Sequence, residues 1–222
     1  VFTVLSCYPS YLQKTEKEAW SAKKGKKMKN NARVVVIGGG VVGVSTLYHL
    51  VKKGWTDCVL IERKELTSGS TWHAAGLLPL FNMSYSVGQI HKYSVDLYGR
   101  LEEETGQYAG LSRVSNIRLA TTQDRMDEYK QYAGVAQTIG VQVDILTPEQ
   151  VVDIWPLAVK DNLIGAIRHP MDGYIQPADL TQALAKGARD IGGQIYRNTN
   201  VTAITRTSTG EWKITTDKGE IT

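Results

Sequence analysis

Between residues 33 and 62 short apolar runs flank a stretch whose apolar residues return every three or four positions. Val34 to Ile37 is an unbroken β-branched run, the composition of a central parallel strand covered on both faces. Over 42–53, Val44, Leu47, Leu50 and Val51 share one helical face, Lys52 and Lys53 suit the negative end, and Gly54 supplies a stop. A second apolar run, Cys58 to Ile61, predicts the next strand. Strand, helix and strand in this order make a βαβ unit.

The turn inside that unit carries the first chemistry. Gly38, Gly40 and Gly43 form G-x-G-x-x-G. The first glycine permits the tight turn, the second lets a pyrophosphate approach the backbone, and the third lets helix and strand close together. The helix start points unpaired N–H groups at the phosphates. Glu62 follows Gly43 by 19 positions, near the roughly 20 expected of a carboxylate that binds a ribose hydroxyl. A dinucleotide site is the reading.

Farther on the rhythm changes. Helices are predicted over 87–105, with Ile90, Val95, Leu97 and Leu101 apolar, and over 122–140, with Met126, Tyr129, Ala133 and Ala136 on one face. Thr147 and Pro148 open another as cap and first residue. Strands are expected over 116–122, 141–146 and 163–169. These pieces do not repeat the βαβ order. A helix over 177–191 and a third parallel strand at 194–197 then return to it, followed by β-structure at 200–204 and 211–216 and a turn at Asp217-Lys218-Gly219. Glu102, Glu103 and Glu104 oppose the dipole at a helix end and read as a solvated face. His91 reads as a surface or structural histidine, and His169, before Pro170 and the Asp172-Gly173 turn, as a loop histidine.

Composition narrows the classes. The 222 residues are 42% hydrophobic and 22% charged, as in ordinary globular chains. The net charge of +4 is misleading, because residues 1–32 hold seven lysines against Glu16 and Glu18, a balance of +5. The remainder is at −1, which argues against nucleic-acid binding. Residues 1–32 read as a disordered basic extension, with Met28 as a natural start. A transit peptide is the alternative, though such segments are usually arginine-rich and poor in acids. No apolar run approaches the roughly 20 residues of a membrane span. Cys7 and Cys58 offer no disulfide framework and no metal pattern, which favours a reducing compartment.

The segments Ile37-Gly38-Gly39-Gly40, Leu60-Ile61-Glu62-Arg63 and Gly69-Ser70-Thr71-Trp72-His73-Ala74-Ala75-Gly76-Leu77 resemble the FAD-dependent amine oxidoreductases of the D-amino-acid oxidase superfamily. Within it the chain is most similar to the dimethylglycine and sarcosine dehydrogenases. The resemblance continues through Leu97 to Gly106, Ile117 to Thr122 and Asp172 to Pro177, so it covers roughly 33–222. It implies an α/β fold: a Rossmann-like FAD-binding domain at 33–82 and 172–222, with an inserted, partly present α+β substrate domain at 83–171. It also implies that His73 is bonded covalently to the flavin 8-methyl group and that Val201 contacts the adenine through its backbone. Ser70 and Thr71 are candidates to donate to the pyrophosphate. Ala74, Ala75 and Gly76 suit a backbone pressed against a planar ring, and Arg63 and Leu77 complete the candidate cofactor set.

By the same resemblance the chain is an N-terminal fragment, inactive alone, whose substrate-gripping groups lie past Thr222; no catalytic residue and no metal ligand are assigned. The implied activity is oxidative demethylation of an N-methylated glycine, with formaldehyde or a folate-bound carbon as product. Tetrahydrofolate belongs to the full-length protein only, and the electron acceptor is not read. The expected location is the cytoplasm, with the mitochondrial matrix as alternative. Two rival readings are an NAD-dependent dehydrogenase and a non-catalytic regulatory subunit of the same superfamily.

Overall fold

Residues 28–222 are described by a computed structural model. The order begins β1 (Val34–Ile37), α1 (Val41–Lys52), β2 (Cys58–Ile61), a 3-10 turn (Ser70–His73) and β3 (Leu77–Leu78). Next come α2 (Tyr85–Thr105), β4 (Leu111–Arg113), β5 (Asn116–Ala120), α3 (Gln123–Ile139), β6 (Asp144–Leu146), α4 (Pro148–Ile154), β7 (Gly165–His169) and β8 (Gly173–Ile175). The chain closes with α5 (Pro177–Asp190), β9 (Gln194–Tyr196), β10 (Val201–Arg206), β11 (Trp212–Thr216) and β12 (Gly219–Ile221).

β2 lies between β1 and β9 in a parallel sheet, with Val36 beside Leu60 and Leu60 beside Ile195. All four β2 residues are buried, whereas Ile37 of β1 is 48% exposed. The expectation of a central first strand is therefore corrected. β1 is an edge among the described residues, and a groove of about 620 Å³ runs beside it, lined by Arg33, Val34, Ile37, Ile204 and Trp212.

Helix packing follows the predicted faces. Val44, Leu47 and Val51 of α1 meet Leu180, Ala183 and Leu184 of α5 and Leu97 and Leu101 of α2 in one core. Full burial of each leucine contributes about 2 kcal/mol. Gly187 makes the close approach possible, since a Cβ there would fall 2.8 Å from both Tyr48 and Thr105. A second core joins Val95 of α2 with Met126, Tyr129, Tyr132 and Ile139 of α3 and Ile167 of β7. α2 therefore serves both cores, while Ile90 at its start is exposed. Thr122 caps α3 by accepting from the Arg125 N–H, and Thr147 and Gln150 close a capping box on α4.

Three further expectations are corrected. Glu104 is not simply solvated, because it accepts from Tyr48 and pairs with Lys52 at 2.6 Å, bracing α2 against α1, and pairs with Arg100 at 2.8 Å along α2 itself. Burial pulls its carboxyl upward, but hydrogen bonds from Lys52, Tyr48 and Arg100 win and hold it at about 2. His169 is no loop histidine: it ends β7, fully buried, with its ring 5.5 Å from Tyr132 and 6.0 Å from Phe81. The apolar side chains that bury it come from distant segments, which the local turn signal does not register. Residues 28–32, expected to be disordered, lie against the fold. Met28 joins the Val59–Ile61–Ile214–Ile221 cluster, and the Ala32 N–H donates to the Thr222 carbonyl at 3.0 Å. The rest of the expected extension, 1–27, lies outside the described residues.

Candidate functional site

The glycine turn is built by close contacts. Gly38 sits at φ +113°, and a Cβ on Gly43 would fall 2.0 Å from the Gly38 carbonyl oxygen. Those two positions exclude side chains for reasons internal to the turn. The Gly39 N–H donates to Glu62 Oε2 at 2.6 Å, the Lys64 N–H donates to Glu62 Oε1 at 2.7 Å, and the Thr67 N–H donates to the Gly39 carbonyl at 3.0 Å. Glu62 thus clamps the turn to the end of β2. Each of its oxygens keeps a further lone pair for a ribose hydroxyl.

Ile37, Gly38, Glu62, Arg63, Asn200 and Val201 line a cavity of about 280 Å³ at the carboxyl ends of β1 and β2. In open α/β sheets this is where a dinucleotide is received. The bare turn, the start of α1 and the Glu62 carboxylate fit such a group.

The 3-10 turn Ser70–His73 is pinned to the same turn from the other side. Thr71 is buried, and its Oγ1 accepts the Val41 N–H at 3.0 Å. A Cβ on Gly40 would fall 2.9 Å from that oxygen, so Gly40 makes room for Thr71 as well as for a ligand. Thr71 acts first as an acceptor from α1, and its hydroxyl proton remains to donate. Ser70 and Ala75 are exposed, and the His73 imidazole lies exposed against Trp72 with ring centroids 4.1 Å apart.

Gly76, at φ +74°, has a strand-pairing cause: a Cβ there would fall 2.1 Å from the Ile175 carbonyl oxygen. Its own carbonyl accepts the Ile175 N–H at 2.8 Å. The bare backbone expected to face a ring is needed by β8 in any case. Leu77, 72% exposed, pairs with Tyr174, 49% exposed. Of the twelve candidate residues, Gly38, Glu62, Arg63 and Val201 share one cavity, and Gly40, Gly43 and Thr71 meet at the α1 start, with Ser70 exposed beside Thr71 in the 3-10 turn. His73, Ala75, Gly76 and Leu77 lead away toward β3.

A charged cluster was missed by the sequence reading. Asp172 is 1% exposed; its Oδ1 accepts the Leu80 N–H at 2.9 Å, and its Oδ2 has no partner. Burial pushes its carboxyl up to about 6 against the pull of Leu80 and Arg118. Burial, then the Arg118 charge, push His169 down to about 4, and neither of its nitrogens has a partner. Arg118 lies 4.6 Å over the Phe81 ring with Nε unpartnered. One signal was available: Arg118 shares the alternate face of β5 with Ala120, which is buried.

Residues 33–222 match the DAO family model, described as FAD dependent oxidoreductase. The chain is 43% identical over 193 residues to mitochondrial dimethylglycine dehydrogenase of Rattus norvegicus, covering 87% of this chain and 22% of that protein. It is 38% identical to the mitochondrial pyruvate dehydrogenase phosphatase regulatory subunit of Mus musculus, covering 86% and 22%. Among solved structures, L-proline dehydrogenase from P. horikoshii superposes with a TM-score of 0.78 at 27% identity, covering 87% of this chain and 51% of that one. The chain spans about a fifth of the length of the curated relatives it matches.

Proposed function

Because the chain belongs to the DAO family of FAD dependent oxidoreductases, we propose that the full-length protein demethylates an N-methylated glycine, dimethylglycine or sarcosine, by oxidation. FAD, the cofactor expected from the resemblance, is kept over the rival NAD, since the family model is of FAD dependent oxidoreductases. When bound, FAD would supply the acceptor for a hydride leaving an N-methyl carbon; water would hydrolyse the resulting iminium to formaldehyde and the demethylated amino acid, or its carbon would pass to tetrahydrofolate. The identity to a dimethylglycine dehydrogenase supports the substrate class. Relatives named as mitochondrial support the mitochondrial alternative over the cytoplasm.

This chain's residues would bind and orient. Gly38, Gly40, Gly43 and the start of α1 would receive the pyrophosphate, Glu62 the ribose, and Arg63 and Val201 the nucleoside end. Residues 33–82 and 172–222 would form the FAD-binding part, and 83–171 the inserted substrate part. His73 would be the covalent attachment point. The observation that carries this reading is the Thr71–Val41 hydrogen bond, which fixes the His73-bearing turn against the dinucleotide loop.

Acid precipitation of the full-length protein tests it. Flavin fluorescence stays with the pellet of the parent and passes to the supernatant in His73→Ala. Complete release from the parent would defeat the covalent link. Dimethylglycine and sarcosine turnover, measured side by side, ranks the substrates. The likeness to a phosphatase regulatory subunit favours a second, non-catalytic reading, which a protein binding FAD without reducing it on either amine would support.

A further inference from the structure

A groove of about 670 Å³ runs along β9, and no residue of the glycine turn lines it. Two independent features of its walls are unmatched. The first is backbone. Among the described residues β9 pairs with β2 alone, so it is the second edge of the parallel sheet. The Tyr196 carbonyl accepts the Glu62 N–H at 2.8 Å, and the Asn198 N–H donates to the Lys64 carbonyl at 3.1 Å. Alternate residues of a parallel strand bond to the same neighbour, so Ile195 and Arg197 turn their N–H groups outward. The second feature is charge. Arg189 at the end of α5, Arg197, and Lys218 in the turn between β11 and β12 line the groove, and no carboxylate does. Asp190 is held by Lys186 at 2.7 Å, and Glu65 takes one arm of Arg197. Arg189 and Lys218 have no ion-pair partner among the described residues. Partial burial, then the Arg197 charge, push the Arg189 guanidinium below its ordinary range, as expected where two cations stand close.

We propose that the β9 groove docks an acidic peptide segment of another protein, which adds as a strand to β9 and sets its carboxylates against Arg189, Arg197 and Lys218. Main-chain bonds at Ile195 and Arg197 supply register, and charge supplies the choice of partner. The two walls belong to different layers. Ile195 packs in the core with α1 and α5, whereas Tyr196 and Met28 pack with Ile214 and Ile221. Successive residues of an added strand face opposite ways, so one carboxylate meets the α5 wall and the next meets the Lys218 wall. A run of adjacent acids is therefore matched on both sides. Nucleic acid fits less well, because Tyr196, the aromatic residue of the groove, packs in the Met28 cluster and offers no free ring for stacking.

Fluorescence anisotropy on the flavin-loaded full-length protein tests the groove with a labelled hexapeptide of alternating aspartate and glutamate. The same peptide methylated on every backbone nitrogen keeps its charge and cannot pair as a strand. It is expected to bind at least about 10-fold more weakly. Arg189→Gln and Lys218→Gln remove exposed charges, so each weakens the unmethylated peptide about 2- to 5-fold and the pair about 10-fold, with melting temperature unchanged. Equal binding of the methylated peptide overturns strand addition, and unchanged binding by the paired variant overturns the role of the cations. An oligouridylate that binds more tightly than the peptide overturns the choice of occupant. No peptide binding up to about 1 mM overturns the site. If the paired variant then self-associates where the parent does not, the cations serve only to guard the edge.

Discussion

The hydroxyl of Thr71 accepts the backbone N–H of Val41 at 3.0 Å, joining the turn that carries His73 to the first residue of α1. Thr71→Val keeps the shape and deletes the acceptor, leaving a helix-start donor unpaired at a cost of about 1–3 kcal/mol. The expected result is a lower melting temperature and faster loss of flavin on gel filtration. Thr71→Ser stays near the parent. Equal behaviour of all three would remove this bond from the account.

Gly43→Ala puts a methyl group 2.0 Å from the Gly38 carbonyl oxygen, a backbone atom that cannot yield. The expected penalty is about 3 kcal/mol or more, with loss of soluble, flavin-containing protein. Gly134→Ala is the matched control, because nothing lies within 4 Å of its Cβ position and it sits inside α3 with helical backbone. It is expected to leave stability unchanged or raise it by up to about 1 kcal/mol. Expression yield and melting temperature, compared for the two, decide the matter.

His169 and Asp172 oppose one another as pH falls. His169, at about 4 when folded, takes up its proton more easily unfolded, so its contribution is lost as pH falls from about 6.5 toward 4. Asp172, at about 6 when folded, holds its proton more tightly than the unfolded carboxyl does. Its contribution is full below about 4 and is lost as pH rises through 6. Each effect is about 2–3 kcal/mol, so melting temperature is nearly level between pH 4 and 6.5. Asp172→Asn exposes a fall in stability on acidification, and His169→Phe a rise. Parallel profiles for all three proteins would contradict the opposition.

Glu104 braces α2 against α1 through Lys52 and Tyr48, and Arg100 pairs with it along α2 itself. Its lowered carboxyl gives a contribution present above about 4.5 and lost as pH falls toward 2. Solvent screening reduces the gain to about 1 kcal/mol. Glu104→Gln should lower the melting temperature at pH 7 and match the parent near pH 2. Hydrogen exchange at the end of α2 offers a second readout.

The nucleotide-binding half was legible because its signals are local. Val34 to Ile37, the spaced glycines and the α1 face lie within one short window, and the resemblance extended that window to His73. What escaped depends on distant partners. β3, two residues long, exists because Leu77 pairs with Tyr174, and Gly76 is bare because Ile175 crosses it. His169 looked like a loop residue beside Pro170, yet Phe81 and Tyr132 converge on its ring from other elements. Asp172 likewise looked like half of a turn dipeptide, and only the fold sets it in one cavity with Arg118.

The open side of β1 has a practical consequence for anyone handling residues 28–222 by themselves. A row of unpaired backbone donors and acceptors, flanked by Ile37, Ile204 and Trp212, is a template that a second molecule can extend. Strand addition across that edge should turn a concentrated sample into dimers, at a rate that climbs with concentration. A lysine in place of Ile37 would interrupt it, making this segment easier to keep in solution than its native sequence allows.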